Sequence, residues 1–349
     1  MSDKALKKKE PSQKTDPGFG SSEKSSVTGT DTFSETTNSM MTESGITGER
    51  TSITTLGELR ANRIPGRIVP ILQVTAGADP GRILSLAQYR HVTLGRGKQC
   101  EMIVYDPSCS RQHAEAFVKE NGQVYIKDLN STNGTKINGK PLSPDDVVLL
   151  KDGDRVQLGE NTILKFSLLP EDDANMQISV YFRATRDSLT NAFNRHQFEE
   201  SLDREVSYQK RAKHGLAVII FDVDHFKKVN DSLGHGAGDA VLKEIGARIP
   251  RVIRAEDIFA RLGGEEFAVL ARSENLIGVQ ILAERIRTAM SDKIVEFEGK
   301  QIEFTVSVGV AYITGANEQP GSYLVSQADE ALYEAKNGGR NKSIIRQIK

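Results

Sequence analysis

The stretch that most constrains the fold is RLGGEEFAVL (Arg261–Leu270), in which two glycines separate two apolar runs. Each run has the length and composition of a short buried strand, so Gly263 and Gly264 predict the turn of a β-hairpin. Glycine adopts the backbone angles of tight turns and lets a ligand lie against the main chain. Glu265 and Glu266 follow the turn, and adjacent carboxylates there suit a hard cation, although a plain solvated turn also explains these residues alone.

A second stretch, LAVIIFDVDHFKKVND (Leu216–Asp231), begins as a continuous apolar run and therefore predicts a fully buried strand. The strand ends in Asp222 and Asp224, and carboxylates in such a place are costly unless they are paired or bind metal. A strand-end aspartate near a hairpin glutamate is the arrangement of a palm-type phosphoryl-transfer site. Two Mg²⁺ ions in such a site would activate a hydroxyl and hold phosphates.

Five motifs between Asp187 and Ile345 together resemble the GGDEF domain of diguanylate cyclases, in the order and spacing of that family. The motifs are DSLTNAFNR, FDVDHFKKVND, GHGAGD, RLGGEEF and YEAKNGGRN. The first departs from the family's DPLTGLxNR at Ser188, Asn191 and Ala192, which shape a turn away from the reacting atoms. The resemblance implies an α+β domain that joins two GTP into cyclic di-GMP with two Mg²⁺ per active site, Mn²⁺ being a possible substitute. Each domain would hold one GTP, so a homodimer is expected.

The resemblance also assigns roles to single residues. Asp222, the Val223 carbonyl and Glu265 would bind metal, and Glu266 would either assist hydroxyl deprotonation or add a metal contact, which makes Glu265 and Glu266 the catalytic candidates. The residues expected to contact GTP are Phe226, Lys227, Asn230, Asp239, Gly263, Gly264, Lys336 and Arg340. Among them, Asn230 and Asp239 would read guanine, whose two donors suit a carboxylate, so GTP is preferred to ATP. Arg254 and Asp257 match the family's RxxD product-inhibition site, a weak motif by itself.

From Ile68 to Leu169, short runs rich in β-branched residues alternate with Gly, Asn and Asp turns, which predicts an all-β sandwich. Arginine, hydroxyl and amide side chains gather in its loops, a combination suited to phosphate. The motifs LGRG, SRQHA and NSTNGTKING resemble the forkhead-associated (FHA) domain, which binds phosphothreonine peptides. The resemblance implies that Arg96 and Ser110 contact the phosphate, that Thr132 and Asn133 hold the phosphate or the peptide backbone, and that Arg111 assists. His113 matches an architectural position.

Composition assigns the rest of the chain. Residues 1–60 are rich in Ser and Thr and almost free of aliphatic residues, so we expect a disordered tail that either solubilises the protein or is phosphorylated by a Ser/Thr kinase. Thr54 and Thr55 are the favoured phosphosites, and the FHA domain would bind the tail or a partner protein. A net charge of −1 and the absence of a long apolar run predict no nucleic-acid binding, no membrane span and a cytoplasmic protein.

These expectations divide the chain into the tail, an FHA domain over 66–169, a helical linker over 170–188 and a GGDEF domain over 189–349. The linker helix, capped by Asp172 or Asp173, would be either a simple spacer or a two-stranded stalk that pairs chains through Met176 and Val180. The GGDEF domain is predicted to be an antiparallel sheet with helices on one face, with a helix starting at Ala240 and Gly309 under the nucleotide. A catalytically silent cyclic di-GMP sensor and scaffold is the alternative function; an adenylate or mixed-nucleotide cyclase is disfavoured by Asp239.

Overall fold

The computed structural model describes residues 66–273, 275–315 and 317–348. The predicted tail and its candidate phosphosites Thr54 and Thr55 lie outside the described residues.

The first described domain is a sandwich of two sheets, which confirms the all-β expectation. One sheet has the strand order β2-β1-β11-β10-β7-β8 and the other β4-β3-β5-β6-β9. The strands are β1 (Ile68–Ala76), β2 (Ile83–Ser85), β3 (His91–Gly95), β4 (Met102–Ile103), β5 (Ala114–Val118), β6 (Val124–Asp128), β7 (Thr135–Ile137), β8 (Lys140–Pro141), β9 (Val148–Leu149), β10 (Arg155–Leu158) and β11 (Thr162–Pro170). Side chains that alternate inward from both sheets, among them Leu72, Leu94 and Phe166, form a closed core between them.

Helix α1 (Glu171–Thr185) follows β11 without a loop and packs on the sandwich. The predicted cap is wrong, because Pro170 holds the cap position and the two aspartates lie in the first turn, where they complement the helix dipole. Ala174 and Ile178 are buried against β1, whereas Met176 and Val180 are 68% and 57% exposed. One apolar face of α1 is therefore already buried against the β-sandwich.

The second domain is built on a five-stranded sheet of order β13-β14-β12-β17-β18. Its helices are α2 (Arg195–Ala212), α3 (Phe226–Leu233), α4 (His235–Val252), α5 (Leu276–Ser291) and α6 (Gly321–Asn337). Its strands are β12 (Leu216–Val223), β13 (Ile258–Gly263), β14 (Glu266–Arg272), β17 (Val306–Ile313) and β18 (Ser343–Ile348), with a separate hairpin of β15 (Val295–Phe297) and β16 (Lys300–Ile302). This α+β architecture was predicted, and the hairpin through Gly263 and Gly264 is confirmed.

Helices cover both faces of this sheet, so the expectation of one covered face is wrong. Residues Ile219 and Phe221 of β12 pack with α4 and α5, while Val218 and Ile220 pack with α2 and α6. The cause is visible in the sequence: a strand that is apolar at every position needs cover on both sides. The sheet is also mixed, because β18 runs parallel to β17.

Two local predictions are wrong, one on the start of α4 and one on the role of Gly309. Helix α4 begins at His235, so the glycine-rich GHGAGD segment forms its first turn and not a separate turn before Ala240. A Cβ added to Gly309 would lie 2.2 Å from both the Ala328 carbonyl oxygen and the Leu332 nitrogen. Gly309 therefore lets α6 approach the sheet, and the predicted place under a nucleotide is wrong.

Candidate functional site

The strand register brings the predicted carboxylates together at one end of the sheet. Asp222 of β12 lies directly opposite Glu266 of β14, and Glu265 precedes Glu266 in the hairpin turn. Side chains of directly opposed residues lie on the same face, about 5 Å apart at Cβ. Gly264, with φ of +53°, supplies the left-handed backbone of the turn. Two elements distant in sequence thus place three acids at one edge.

A cationic side chain already lies among these acids. The Lys336 ammonium is 2.9 Å from the Asp222 carboxylate and reaches it from the last turn of α6. Burial, together with the charges of Glu265 and Glu266, raises the pKa of Asp222 to about 6 although Lys336 opposes the shift. The site therefore disfavours the charge of Asp222, and a nearby cation offsets part of that effect.

The second strand-end aspartate has a different task. Asp224 accepts hydrogen bonds from the Thr305 and Ser307 hydroxyls, both at 2.6 Å, and from the Asn341 backbone amide at 3.0 Å. These contacts satisfy its carboxylate and tie the end of β12 to the loop that carries Arg340. Asp222 is consequently the strand-end acid available to a ligand.

The acids of this edge have the donor chemistry of a metal site. Across the described ranges, no group of three or more His, Cys, Asp or Glu side chains stands ready to hold an ion. The donor chemistry nevertheless fits a hard cation, because carboxylates of Asp222, Glu265 and Glu266 and the Val223 carbonyl supply oxygen ligands. Lys336 provides the positive charge at Asp222 in this structure.

The two residues predicted to read guanine lie in consecutive helices, Asn230 in α3 and Asp239 in the first turns of α4. A Cβ on Gly238 would stand 2.0 Å from the Asn230 Oδ1 atom, so Gly238 lets the Asn230 side chain pack closely against α4. Asp239 is exposed in the first turns of α4 and does not cap it. Phe226 and Lys227 begin α3, where backbone N–H groups have no acceptor within the helix.

The sequence analysis did not identify two acids that support this edge, Asp187 and Asp329. Arg261 donates to the Gly264 carbonyl at 3.0 Å through Nε and to the Asp187 carboxylate at 3.0 Å, which fixes the turn against the start of the domain. Asp329 has its pKa raised by burial and by the charge of Glu266, so it belongs to the same electrostatic group. Its place two helical turns before Lys336 was the available signal, since such residues share a helix face.

The predicted phosphate-binding residues of the FHA domain gather at a cleft of about 550 Å³ lined by Arg96, Ser110, Arg111 and Thr132. The Ser110 hydroxyl accepts from the Thr132 amide at 3.0 Å. The Arg96 Nε is buried and has no hydrogen-bond partner among the residues that the structure describes, which is the state expected of a donor awaiting an acceptor. Asn133 instead donates to the Ser108 carbonyl at 2.8 Å and braces the loop.

His113 lies beneath the cleft and holds its loops together. The Ser110 amide donates to His113 Nδ1 at 3.0 Å, and His113 Nε2 lies 3.0 Å from the Gly134 carbonyl. Burial lowers the pKa of His113, so the ring is neutral and Nε2 carries the proton. This arrangement agrees with the architectural role expected of His113.

The RxxD segment forms a turn against the FHA domain. The Asp257 carboxylate accepts from the Arg254 backbone amide at 2.7 Å, and Asp257 is only 5% exposed. Burial raises the pKa of Asp257 to about 6. Arg254 is exposed. The two residues are adjacent, as the motif requires, and the FHA domain restricts access to Asp257.

None of the helices within the described ranges combines the length and apolar character needed to cross a bilayer. Comparison with known proteins agrees with the two-domain organisation. The sequence model of the family described as "Diguanylate cyclase, GGDEF domain" matches residues 184–342, and that of the FHA domain matches residues 92–159. Residues 184–342 of the chain are therefore similar to the GGDEF family, and residues 92–159, which precede them, are similar to the FHA domain.

The similar proteins each match about half of the chain. Uncharacterized protein YhcK of Bacillus subtilis is 44% identical over 177 residues, 49% of this chain and 48% of that protein. Diguanylate cyclase DgcP of Pseudomonas aeruginosa is 38% identical over 160 residues, 46% of this chain and 24% of that protein. The chain thus spans about half or less of these relatives. The structure of the coiled coil and GGDEF domain of DgcB from Caulobacter crescentus, in complex with c-di-GMP, is 32% identical, covers 50% of this chain and 93% of that one, and has a TM-score of 0.47.

Proposed function

We propose that the chain is a diguanylate cyclase that condenses two GTP into cyclic di-GMP and two pyrophosphates. The observation that carries the proposal is the direct opposition of Asp222 and Glu266 at the sheet edge, with Lys336 beside them. The match of residues 184–342 to the GGDEF family model and the similarity to DgcP support it.

Acidic and basic residues would have different roles in the reaction. Mg²⁺, two per site, would be held by Asp222, the Val223 carbonyl and Glu265, and when bound it would neutralise phosphate charge. Lys336 and Arg340 would hold terminal phosphates. Glu266 would either assist deprotonation of the attacking 3′-hydroxyl or add a metal contact. The protein mainly positions the two nucleotides and balances charge.

Base selection would rest on Asn230 and Asp239; Asn230 packs against Gly238, the residue before Asp239. A carboxylate accepts both donors of the guanine edge, whereas adenine places an acceptor there. We therefore expect GTP to be used and ATP to be a poor substrate. An Asp239→Asn variant should lose much of its preference for GTP, which competition between the two nucleotides would measure.

Each domain binds one GTP, so the reaction requires two domains facing each other. The rate per chain should rise with protein concentration and fall on dilution as a homodimer dissociates.

Purified chain with GTP and Mg²⁺ should yield cyclic di-GMP, which chromatography of the products detects. Glu265→Gln and Glu266→Gln should abolish the product, while Glu298→Gln, an exposed acid of the β15–β16 turn, should act as the wild type. Cyclic di-GMP binding without any synthesis would instead identify a silent sensor and scaffold.

The FHA domain supplies regulation in this proposal. A phosphothreonine would bind Arg96 and Ser110, with Thr132, Asn133 and Arg111 supporting the peptide, and the unpartnered Arg96 Nε favours an anionic ligand. The phosphate would come from a Ser/Thr kinase acting on Thr54 or Thr55 or on a partner protein. Replacing the tail threonines without any change in activity would discard the self-docking version and leave a partner protein as the ligand.

Product inhibition through Arg254 and Asp257 completes the proposal. Arg254→Ala should remove high-affinity cyclic di-GMP binding and leave synthesis active at high product concentration. Isothermal titration with cyclic di-GMP distinguishes this site from the active site, because excess GTP analogue blocks only the latter.

A further inference from the structure

The phosphate cleft and the RxxD turn face each other across the interface of the two domains. The Arg96 guanidinium lies 3.7 Å from the Glu256 carboxylate, inside the Arg254–Asp257 segment. Both side chains are partly shielded, with 33% and 24% exposure. The arginine assigned to the phosphate is therefore already engaged by an acid from the cyclase domain.

A neighbouring lysine strengthens the same contact from outside the cleft. Lys98 Nζ donates to the Pro250 carbonyl at 2.5 Å and to the Ile253 carbonyl, at the end of α4. Helix C-termini expose carbonyls with partial negative charge and attract cations. Lys98 does not line the phosphate cleft. A substitution of Lys98 therefore tests the contact between the domains without changing the phosphate site.

The backbone that carries Arg96 and Lys98 is held firmly. A Cβ on Gly95 would lie 2.6 Å from the Arg111 carbonyl oxygen, and one on Gly97 would lie 2.7 Å from the same atom. This close backbone packing fixes both cations relative to the cleft. A ligand in the cleft therefore meets Arg96 in the position from which it reaches Glu256.

The space between the domains is too small for a dinucleotide. The cavity at the interface measures about 160 Å³ and is lined by Arg254 and Asp257 from one side and by Arg82, Lys98 and Tyr105 from the other. Ligand pockets generally measure about 300–1,000 Å³. A dinucleotide therefore does not fit into this cavity while the two domains are in contact.

A bound phosphate would act on the same contact. A phosphothreonine carries a charge of about −1.5 to −2 at neutral pH, and at Arg96 it would stand beside the Glu256 carboxylate. The partly exposed Arg96–Glu256 pair contributes little by itself, whereas a phosphate makes several charge-assisted hydrogen bonds in the cleft. Phosphate would therefore both replace and repel Glu256.

We propose that Glu256 and the end of α4 occupy the FHA domain in competition with the phosphopeptide, so that phosphopeptide and cyclic di-GMP each bind the separated domains and raise each other's affinity. The inference rests on the phosphothreonine and product sites of the proposed function. Linkage requires the coupling to be equal in both directions.

The test titrates cyclic di-GMP into the full chain, with a non-hydrolysable GTP analogue filling the active site. Lys98→Met and Glu256→Gln, which break the contact from opposite sides, should each tighten product binding about fivefold, a typical coupling factor. Glu318→Gln, an exposed acid elsewhere on the domain, is the matched control and should bind as the wild type.

The outcomes separate the coupling from the sites beneath it. Equal affinity for Lys98→Met, Glu256→Gln and the control, with binding lost in Arg254→Ala, would overturn the coupling and leave the product site intact. Unchanged binding in Arg254→Ala would overturn the product site itself.

A second arm uses a tail peptide phosphorylated at Thr54 or Thr55 and followed by fluorescence anisotropy. Saturating cyclic di-GMP should tighten its binding to the wild type about fivefold and should leave binding to Lys98→Met unchanged. Tightening of the same size in Lys98→Met would contradict the coupling. If neither peptide binds under any condition, tail docking is rejected, and the titration with cyclic di-GMP alone decides whether the two sites are coupled.

Discussion

The two candidate sites are built in different ways. At the strand edge of the second domain, register places Asp222 opposite Glu266, and the sheet is covered on both faces. The phosphate cleft consists of loops, held by backbone packing at Gly95 and by the buried ring of His113. A site on paired strands inherits its geometry from the sheet, whereas a loop site depends on contacts beneath it. Substitutions should therefore act locally at the first site and through supporting contacts at the second.

The largest effect is expected from Asp222→Asn. The change keeps shape and removes the charge, so we expect cyclic di-GMP synthesis to fall more than about 100-fold, beyond the loss typical of groups that only support a metal ligand. Because burial already raises the pKa of Asp222 to about 6, the neutral amide should not destabilise the fold at pH 7. The initial rate and the thermal midpoint measure the two effects. Synthesis at the wild-type rate would reject the strand-edge site.

The second-largest effect is expected at the phosphate cleft, which consists of loops. Arg96→Ala should weaken binding of a tail peptide phosphorylated at Thr54 or Thr55 by about 10- to 100-fold, because one charged hydrogen-bonding partner is worth about 1.5–3 kcal/mol. Arg111→Ala, with the same loss of charge at the rim of the cleft, should cost less. Fluorescence anisotropy of the labelled peptide measures both. If Arg111→Ala weakened peptide binding more than Arg96→Ala, Arg111 would be the main phosphate-binding residue and Arg96 the assisting one.

The comparison also explains what the sequence could predict. The edge of Asp222 and Glu266 was predictable because a buried strand ending in acids and a glycine hairpin each have a local signature. The cleft was predictable only through the resemblance of its motifs, since loops carry no periodicity. The contact of Lys98 with α4 had no signal, because it joins two domains through backbone carbonyls. Gly309 was assigned wrongly, since a close helix contact and a ligand surface both require glycine.

The third prediction uses pH to test the charge balance at the strand edge. Asp222 has a raised pKa, so the folded state holds its proton more tightly than the unfolded state; this contribution to stability is present at low pH and is lost as pH rises through about 6. The same proton competes with a cation. The Mg²⁺ concentration for half-maximal synthesis should therefore rise about tenfold per pH unit below pH 6.

Magnesium titrations of the synthesis rate between pH 5 and 7.5 provide the measurement. Lys336 opposes the pKa shift of Asp222, so Lys336→Met should move the onset of the rise to higher pH. A magnesium requirement independent of pH across this range would contradict the assignment of Asp222 as the principal ligand.

The smallest effect is expected on the exposed side of α1, where the linker hypotheses differ. Met176 and Val180 are largely exposed, while Ile178 is buried on the sandwich. The double variant Met176→Gln, Val180→Gln should change the free energy of unfolding by less than about 0.5 kcal/mol, whereas Ile178→Ala should cost about 2–5 kcal/mol. Because the FHA domain already covers one face of α1, we expect the helix to be a spacer and the synthesis rate of the double variant to be unchanged. A rate that falls in proportion to lost dimer, measured by sedimentation at the assay concentration, would instead show that Met176 and Val180 pair two chains as a stalk.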